Sequence, residues 1–105
     1  MIEMSNKAKI VYGALDMLQA KDKQSAVTSF ALSDFISENE DLQNHQYVKD
    51  INEQDFVDMI MEMNIKSIAG ILNGLYKNHI IDKTEPISMK INGVNKSLRK
   101  YFLVK

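Results

Sequence analysis

The stretch at residues 64–81 reads NIKSIAGILNGLYKNHII, and its apolar residues recur at the spacing of an amphipathic helix. We predict a helix over about 65–78, with Asn64 as its N-terminal cap. The side that this spacing leaves to solvent carries two glycines, Gly70 and Gly74. A glycine inside a helix costs about 1 kcal/mol relative to alanine, so an exposed glycine stripe needs a reason outside helix stability.

The two sides of this helix differ in chemistry when residues are placed at about 100° intervals. The side predicted to pack on the core holds Ile65, Ile68, Ala69, Leu72, Leu75 and Tyr76. The side predicted to face outward holds Lys66, Gly70, Asn73, Gly74 and Lys77. Glycine permits close approach of another backbone, which favours contact with a nucleic acid groove. A stripe of small residues also favours close packing of two protein helices, and that alternative stays open.

Charge is divided unevenly along the 105 residues. Residues 1–63 hold five lysines against twelve carboxylates, a formal charge of −7, whereas residues 64–105 hold seven lysines and one arginine against two carboxylates, a formal charge of +6. Such asymmetry is typical of a chain whose basic end meets a polyanion. Attraction between the two halves, or a chance distribution, would give the same count.

Composition predicts one soluble globular domain over residues 1–105. The apolar fraction is 45%, and there is no cysteine, which excludes disulfides and fits a reducing compartment. No apolar run approaches the length of about 18 residues that spans a membrane, and the first residues lack the features of a signal peptide. We therefore expect a cytoplasmic protein that does not associate with membranes.

Helical periodicity predicts three further helices, and residues 25–38 are ambiguous because their β-branched start also suits a short strand. After the helices the period changes to two, and Asn92-Gly93 is a strong hairpin signal. The predicted helices span about 6–20, 25–38 and 53–62, and the predicted hairpin spans about 87–104, with strands at 87–92 and 98–104. The predicted fold class is mainly α with a C-terminal β-hairpin.

Residues 51–81, INEQDFVDMIMEMNIKSIAGILNGLYKNHII, followed by the hairpin, resemble a winged helix-turn-helix DNA-binding domain of the broad MarR-like kind. In this resemblance the helix at 53–62 comes first and the helix at 65–78 is the recognition helix. His79 stands where the family usually has a glycine at the helix end. The resemblance implies a sequence-specific, double-stranded DNA-binding transcription regulator, with the recognition helix in the major groove and the basic hairpin on the flanking backbone.

The resemblance also implies a homodimer joined by outer helices. The N-terminal helix is the candidate dimer element because it carries more apolar surface than one core stripe requires. The apolar residues counted for this prediction are Ile2, Met4, Ile10, Val11, Ala14 and Leu18. Ordinary packing within the domain is the competing interpretation.

The predicted DNA-binding residues have side chains that suit phosphates and base edges. Helix N-termini bind phosphate through free amides, asparagine can pair with adenine, and lysine suits phosphate as a point charge. The chain's single arginine, Arg99, is the candidate for a narrow minor groove, although it also fits a solvated strand position. The predicted set is Asn64, Lys66, Ser67, Gly70, Asn73 and Lys77 in the helix, and Lys90, Lys96 and Arg99 in the hairpin.

Signals of enzymatic or metal chemistry are absent from the sequence. The only histidines, His45 and His79, are far apart and are expected on the surface or in loops, and no calcium loop, phosphate loop or nucleophile motif occurs. We therefore predict no enzyme, no cofactor and no metal. The alternative to a DNA-binding regulator is a winged-helix adaptor that binds proteins through its acidic half.

Overall fold

The computed structural model describes residues 4–104, which form four α-helices, one short 3₁₀ helix and four β-strands. The helices are α1 (Asn6–Met17), α2 (Ser29–Glu38), the 3₁₀ helix (Glu40–Asn44), α3 (Glu53–Glu62) and α4 (Ile65–Lys77). The strands are β1 (Ile81–Lys83), β2 (Ile87–Ile91), β3 (Val94–Leu98) and β4 (Tyr101–Leu103). A mainly α chain with a C-terminal antiparallel β region is therefore confirmed.

The four α-helices begin at polar side chains that cap their first amides. Ser5 accepts a hydrogen bond from Ala8 N at 3.2 Å, and Thr28 accepts one from Ala31 N at 3.1 Å. Asn52 and Asn64 do the same for α3 and α4. The predicted start of α3 and the Asn64 cap of α4 are thereby confirmed, because a short side-chain oxygen replaces the missing backbone acceptor.

Helices α1 and α4 end in the same way. Gln19 and His79 both adopt the left-handed conformation, with φ of 57° and 60°. After α4, His79 N bonds Tyr76 O and Ile80 N bonds Leu75 O, both at 3.0 Å, which is a Schellman motif. His79 thus takes the place of the usual glycine. The equivalent bonds around Gln19 end α1 at Met17, so the predicted helix over 6–20 was too long at its C-terminal end.

The segment before α2 is extended rather than helical. Val27 and Tyr101 exchange two backbone hydrogen bonds of 3.0 and 2.7 Å, and α2 begins only at Ser29. The helix predicted from residue 25 was therefore wrong at its start, and the strand alternative holds for Val27. Val27 is β-branched and fits an extended pairing, while Thr28 provides the cap that starts the helix.

The hairpin turns where the sequence predicted but runs in a different register. Asn92 and Gly93 form the two-residue turn with φ of 53° and 79°, and β2 pairs with β3 from Ile91↔Val94 to Ile87↔Leu98. The second strand predicted over 98–104 is extended at Tyr101–Leu103, but its predicted pairing with the first strand was wrong, because these residues form β4 and pair with β1. The partner of β2 is β3, which begins at Val94 because a two-residue turn after Ile91 places Val94 directly opposite.

Strand β4 lies between two partners and forms the middle of the small sheet. On one side it pairs antiparallel with β1, a strand that the sequence analysis did not predict. On the other side Tyr101 bonds Val27, and Leu103 N donates to Ala20 O at 2.7 Å. The N-terminal and C-terminal parts of the fold are thus joined through β4.

The core lies between α1, α2 and α4, which pack on one another, and the sheet of β1 and β4. Helix α3 adds only Phe56 to the buried set, while Leu42 and Val48 enter the core from the 3₁₀ helix and the turns after it. The buried hydrophobic residues of the three packed helices are Ile10, Val11, Ala14, Leu15, Leu32, Ile36, Ile68, Leu72 and Leu75.

The N-terminal helix is a core helix on most of its apolar surface. Ile10, Val11 and Ala14 are fully buried within this chain, Met4 and Leu18 are half-buried, and Ile2 lies outside the described residues. Most of the apolar surplus on which the dimer prediction depended is therefore used by the fold itself. Among residues 4–104, no helix is long and apolar enough to cross a membrane.

Candidate nucleic-acid interface

The outward side of α4 is open along its whole length. Lys66, Gly70, Asn73 and Lys77 are all exposed, and they recur at the three- and four-residue spacing of one helix face. Apart from the adjacent residues and the α4 backbone, a methyl group built on Gly70 or on the neighbouring Gly74 would have no heavy atom of residues 4–104 within 4 Å. The packing of residues 4–104 therefore requires neither glycine.

The core side of α4 is narrower than the sequence analysis predicted. Ile68, Leu72 and Leu75 are buried as predicted. The prediction was wrong for Ile65, Ala69 and Tyr76, which are exposed because α4 contacts α1 and α2 along a single stripe and these positions lie at its margins. The outward face is thus broader and includes apolar atoms beside the lysines.

The first turn of α4 holds two predicted site residues in a cap. Asn64 Oδ1 accepts from Ser67 N at 2.8 Å and from the Ser67 hydroxyl at 3.1 Å. These bonds fix both side chains at the helix N-terminus, where backbone amides and the helix dipole favour an anion. They also use the Asn64 oxygen, so the amide N–H groups are what Asn64 offers to a ligand.

The two hairpin lysines point to opposite faces of the ribbon. Lys90 pairs with Asn95, whereas Lys96 pairs with Met89, and paired residues of an antiparallel ladder share a face. The Lys96 Nζ lies 5.7 Å from the centroid of the Phe30 ring at the start of α2. Lys90 lies on the polar face with Ser88 and Ser97. The hairpin therefore presents one polar face and one face that is apolar and basic.

Arg99 lies at the base of the hairpin and is partly buried. Its Nη1 donates to the carbonyl of Thr84 at 3.0 Å, and Lys100 N donates to the Thr84 hydroxyl at 3.0 Å. These bonds tie the segment between β3 and β4 to the segment after β1. One guanidinium N–H therefore has a structural partner, and any nucleic acid contact of Arg99 would come from its remaining donors.

A cation–π pair couples α4 to the sheet. The Lys83 Nζ lies 4.2 Å from the centroid of the Tyr76 ring. The sequence analysis missed this pair because Tyr76 was assigned to the core. One sequence feature could have indicated that Tyr76 is exposed, namely its position next to Lys77 at the margin of the apolar stripe. The pair adds a cation beside the C-terminal end of the exposed face of α4.

His45 lies away from this interface, in the loop after the 3₁₀ helix, which fits the expected surface or loop position. Its side chain, however, is only 6% exposed. Its Nε2 lies 2.7 Å from Asp16 Oδ2, and its Nδ1 accepts from Tyr47 N at 3.2 Å. These partners assign the proton to Nε2. The hydrogen bond from His45, assisted by Lys21, lowers the pKa of Asp16 below its usual value. The geometry is that of a structural tether between α1 and the segment after the 3₁₀ helix.

Metal-binding side chains do not cluster within residues 4–104, where no group of three histidine, aspartate or glutamate side chains is placed to hold an ion. Comparison with known proteins gave no match to any family model, to any curated protein or to any solved structure.

Proposed function

We propose that the chain is a winged helix-turn-helix protein that binds double-stranded DNA in a sequence-specific way and regulates transcription. In this proposal α4 lies in the major groove and the β2–β3 hairpin contacts the flanking backbone. The single observation that carries it is the open face of α4, where two glycines that the fold does not need stand among exposed lysines.

The arrangement of elements supports the winged-helix part of the proposal. Val27, β4 and β1 lie side by side as a small sheet that packs near the three-helix core, and the hairpin extends from that sheet. The sequence analysis paired the helix at 53–62 with the recognition helix. Helix α4 packs on α1 and α2 to a similar extent and contacts α3 little, so we assign α2, which precedes α4 with α3 as an insertion between them, as its partner in the helix pair.

The dimensions and chemistry of α4 suit the major groove. Thirteen residues give a helix of roughly 20 Å, and the groove of about 12 Å admits a helix side-on. Asn73 is exposed and can pair with adenine through two hydrogen bonds, while Ala69, one turn earlier, can contact a thymine methyl group. Gly70, next to Ala69, and Gly74, next to Asn73, let the helix backbone approach the base edges.

The positive charge of residues 64–104 also supports contact with DNA through α4 and the hairpin. Residues 64–104 carry six lysines and Arg99 but only two carboxylates, Asp82 and Glu85. If five to seven of these cations neutralise phosphates, log K falls with log salt with a slope of about −4 to −6. A homodimer, which the resemblance implies, would have to use surface other than the buried Ile10, Val11 and Ala14.

The test is a selection of bound fragments from random duplex DNA, followed by fluorescence anisotropy on the best fragment. We expect Lys66→Glu and Lys77→Glu each to weaken binding and to reduce the salt slope by about 1 to 2. The matched control is Lys23→Glu, an exposed lysine before α2 outside the proposed interface. Unchanged binding in both α4 variants would refute the assignment of α4, and no binding to any duplex at low salt would favour the adaptor alternative.

A further inference from the structure

We propose that the chain associates head to tail with a second copy of itself, the apolar and basic face of one β2–β3 hairpin docking into an acidic groove beside α3 of the next. This inference is independent of DNA binding. It depends on two complementary surfaces with exposed apolar side chains, one on α3 and one on the hairpin of the same molecule.

The first surface is a shallow apolar groove between the C-terminal end of α2, the 3₁₀ helix and α3. Phe56 and Ile36 form part of its floor, and Val57 and Met61 form one wall. Val57 is 44% exposed and Met61 is 81% exposed. These two residues are four apart on α3 and thus adjacent on its surface, so the helix presents a continuous apolar row to solvent.

Carboxylates surround this groove. Glu40 lines it directly, and Glu53 and Asp58 lie beside Val57 and Met61 at helical spacing. Across residues 34–62 there are nine carboxylates and a single lysine, Lys49. An exposed apolar row with a charged rim of one sign is typical of a protein interaction site. Because the rim of this groove is negatively charged, the groove favours a cationic partner.

The second surface is the apolar and basic face of the hairpin. Met89 and Val94 are 38% and 56% exposed, and Ile91 lies between them on the same face. Lys96 shares this face, and Lys90 lies across the ribbon. Residues 87–104 contain no carboxylate. The hairpin therefore offers the apolar atoms and the positive charge that the groove selects.

A second copy is the occupant that these observations specify, because both complementary surfaces belong to this chain. The contact joins different surfaces on the two molecules, so it is heterologous and does not close into a two-fold dimer. A hairpin with five-residue strands buries a small area, at the low end for protein interfaces, so association is expected to be weak and salt-dependent.

Sedimentation velocity of the full chain over a hundredfold range of concentration tests this inference. In low salt we expect the weight-average mass to rise continuously with concentration, and to return toward the monomer value in high salt. Met61→Glu and Val94→Glu should each abolish the rise. Val104→Glu is the matched control, since Val104 is 50% exposed but belongs to neither surface.

Mixing two complementary variants tests the head-to-tail contact directly. The groove variant Asp58→Lys/Met61→Glu and the hairpin variant Val94→Glu/Lys96→Glu, both of whose changes lie on the docking face, should each be monomeric alone. Their equimolar mixture retains one intact groove and one intact hairpin, so it should form heterodimers and nothing larger. Monomers at every concentration of the natural chain would overturn the proposal, as would a mass that saturates at the dimer and is insensitive to Met61→Glu. DNA binding is measured separately, so neither result decides the other proposal.

Discussion

His45 Nε2 lies 2.7 Å from Asp16 Oδ2, and this bond joins α1 to the segment that follows the 3₁₀ helix. The His45 side chain is 6% exposed and the Asp16 side chain is 30% exposed. On the same helix Gly13 leaves room for the His45 ring and for Val48. The segment after the 3₁₀ helix is therefore held against α1 by this hydrogen bond and by the packing of His45 and Val48 beside Gly13.

Asp16→Ala removes the acceptor and leaves the buried Nε2–H of His45 without a partner. We expect a loss of about 1–3 kcal/mol in the free energy of unfolding, the cost of an unsatisfied buried donor. Urea unfolding followed by circular dichroism measures it. The control is Asp34→Ala, an exposed carboxylate on α2, which should change the free energy by less than about 0.5 kcal/mol. Equal effects of the two changes would contradict the structural role of the tether.

The lowered pKa of Asp16 predicts how this contribution depends on pH. A carboxyl group with a lower pKa in the folded state stabilises the fold above its unfolded pKa, here near 3.8, and loses that contribution as pH falls through the folded value. The difference in unfolding free energy between the natural chain and Asp16→Ala should therefore shrink as pH falls from 5 to 2.5. A difference that stays constant over this range would show that the Asp16 carboxylate does not contribute through its charge.

Gly13→Ala should destabilise the fold although alanine favours helices. A Cβ at this position would lie 2.9 Å from Val48 Cγ2 and 3.2 Å from His45 Nδ1. Both neighbours are held in place, one by burial and the other by its two hydrogen bonds. We expect the overpacking cost of about 1–3 kcal/mol to exceed the gain in helix propensity of about 1 kcal/mol. Thermal unfolding measures the result, and a raised melting temperature would contradict it.

Gly70→Ala has the opposite expected effect on stability and also tests the proposed interface. The site is open, so alanine should stabilise the helix by about 0.5–1 kcal/mol. Gly70→Leu places a larger side chain at the same exposed position, where base edges would lie. We expect it to cost about 1–3 kcal/mol of DNA affinity, comparable with a mismatched base pair. Anisotropy with the selected duplex measures it, and unchanged affinity would remove the reason proposed for the glycines.

Local signals in the sequence predicted α3 and α4 closely, because Asn52 and Asn64 are caps whose effect depends only on the next three residues. The turn at Asn92-Gly93 was predictable for the same reason. The strand β1 was not, since Ile81–Lys83 is extended only because β4 lies beside it. The burial of His45 depends on Asp16, 29 residues earlier in the chain, and no local pattern indicates such a partner.

The same distinction between local and long-range determinants applies to the candidate site. The exposed lysines and glycines of α4 followed from helical spacing, which is a local property. The structural bond of Arg99 to Thr84 and the opposite directions of Lys90 and Lys96 depend on strand register, and the predicted register was wrong. The interpretation of Ile65 and Tyr76 failed because helical spacing gives the direction of the apolar stripe but not its width.

The central position of β4 has a consequence for the order of folding. Helices α1 to α4 leave the ribosome before residues 101–103, yet β1 and Val27 have no strand partner until those three residues arrive. The sheet can therefore close only after residues 101–103 have been synthesised, through contacts between residues more than seventy positions apart, such as Val27 and Tyr101. Until then the nascent chain exposes two unpaired strand edges, which makes this interval the one in which a chaperone would have most to protect.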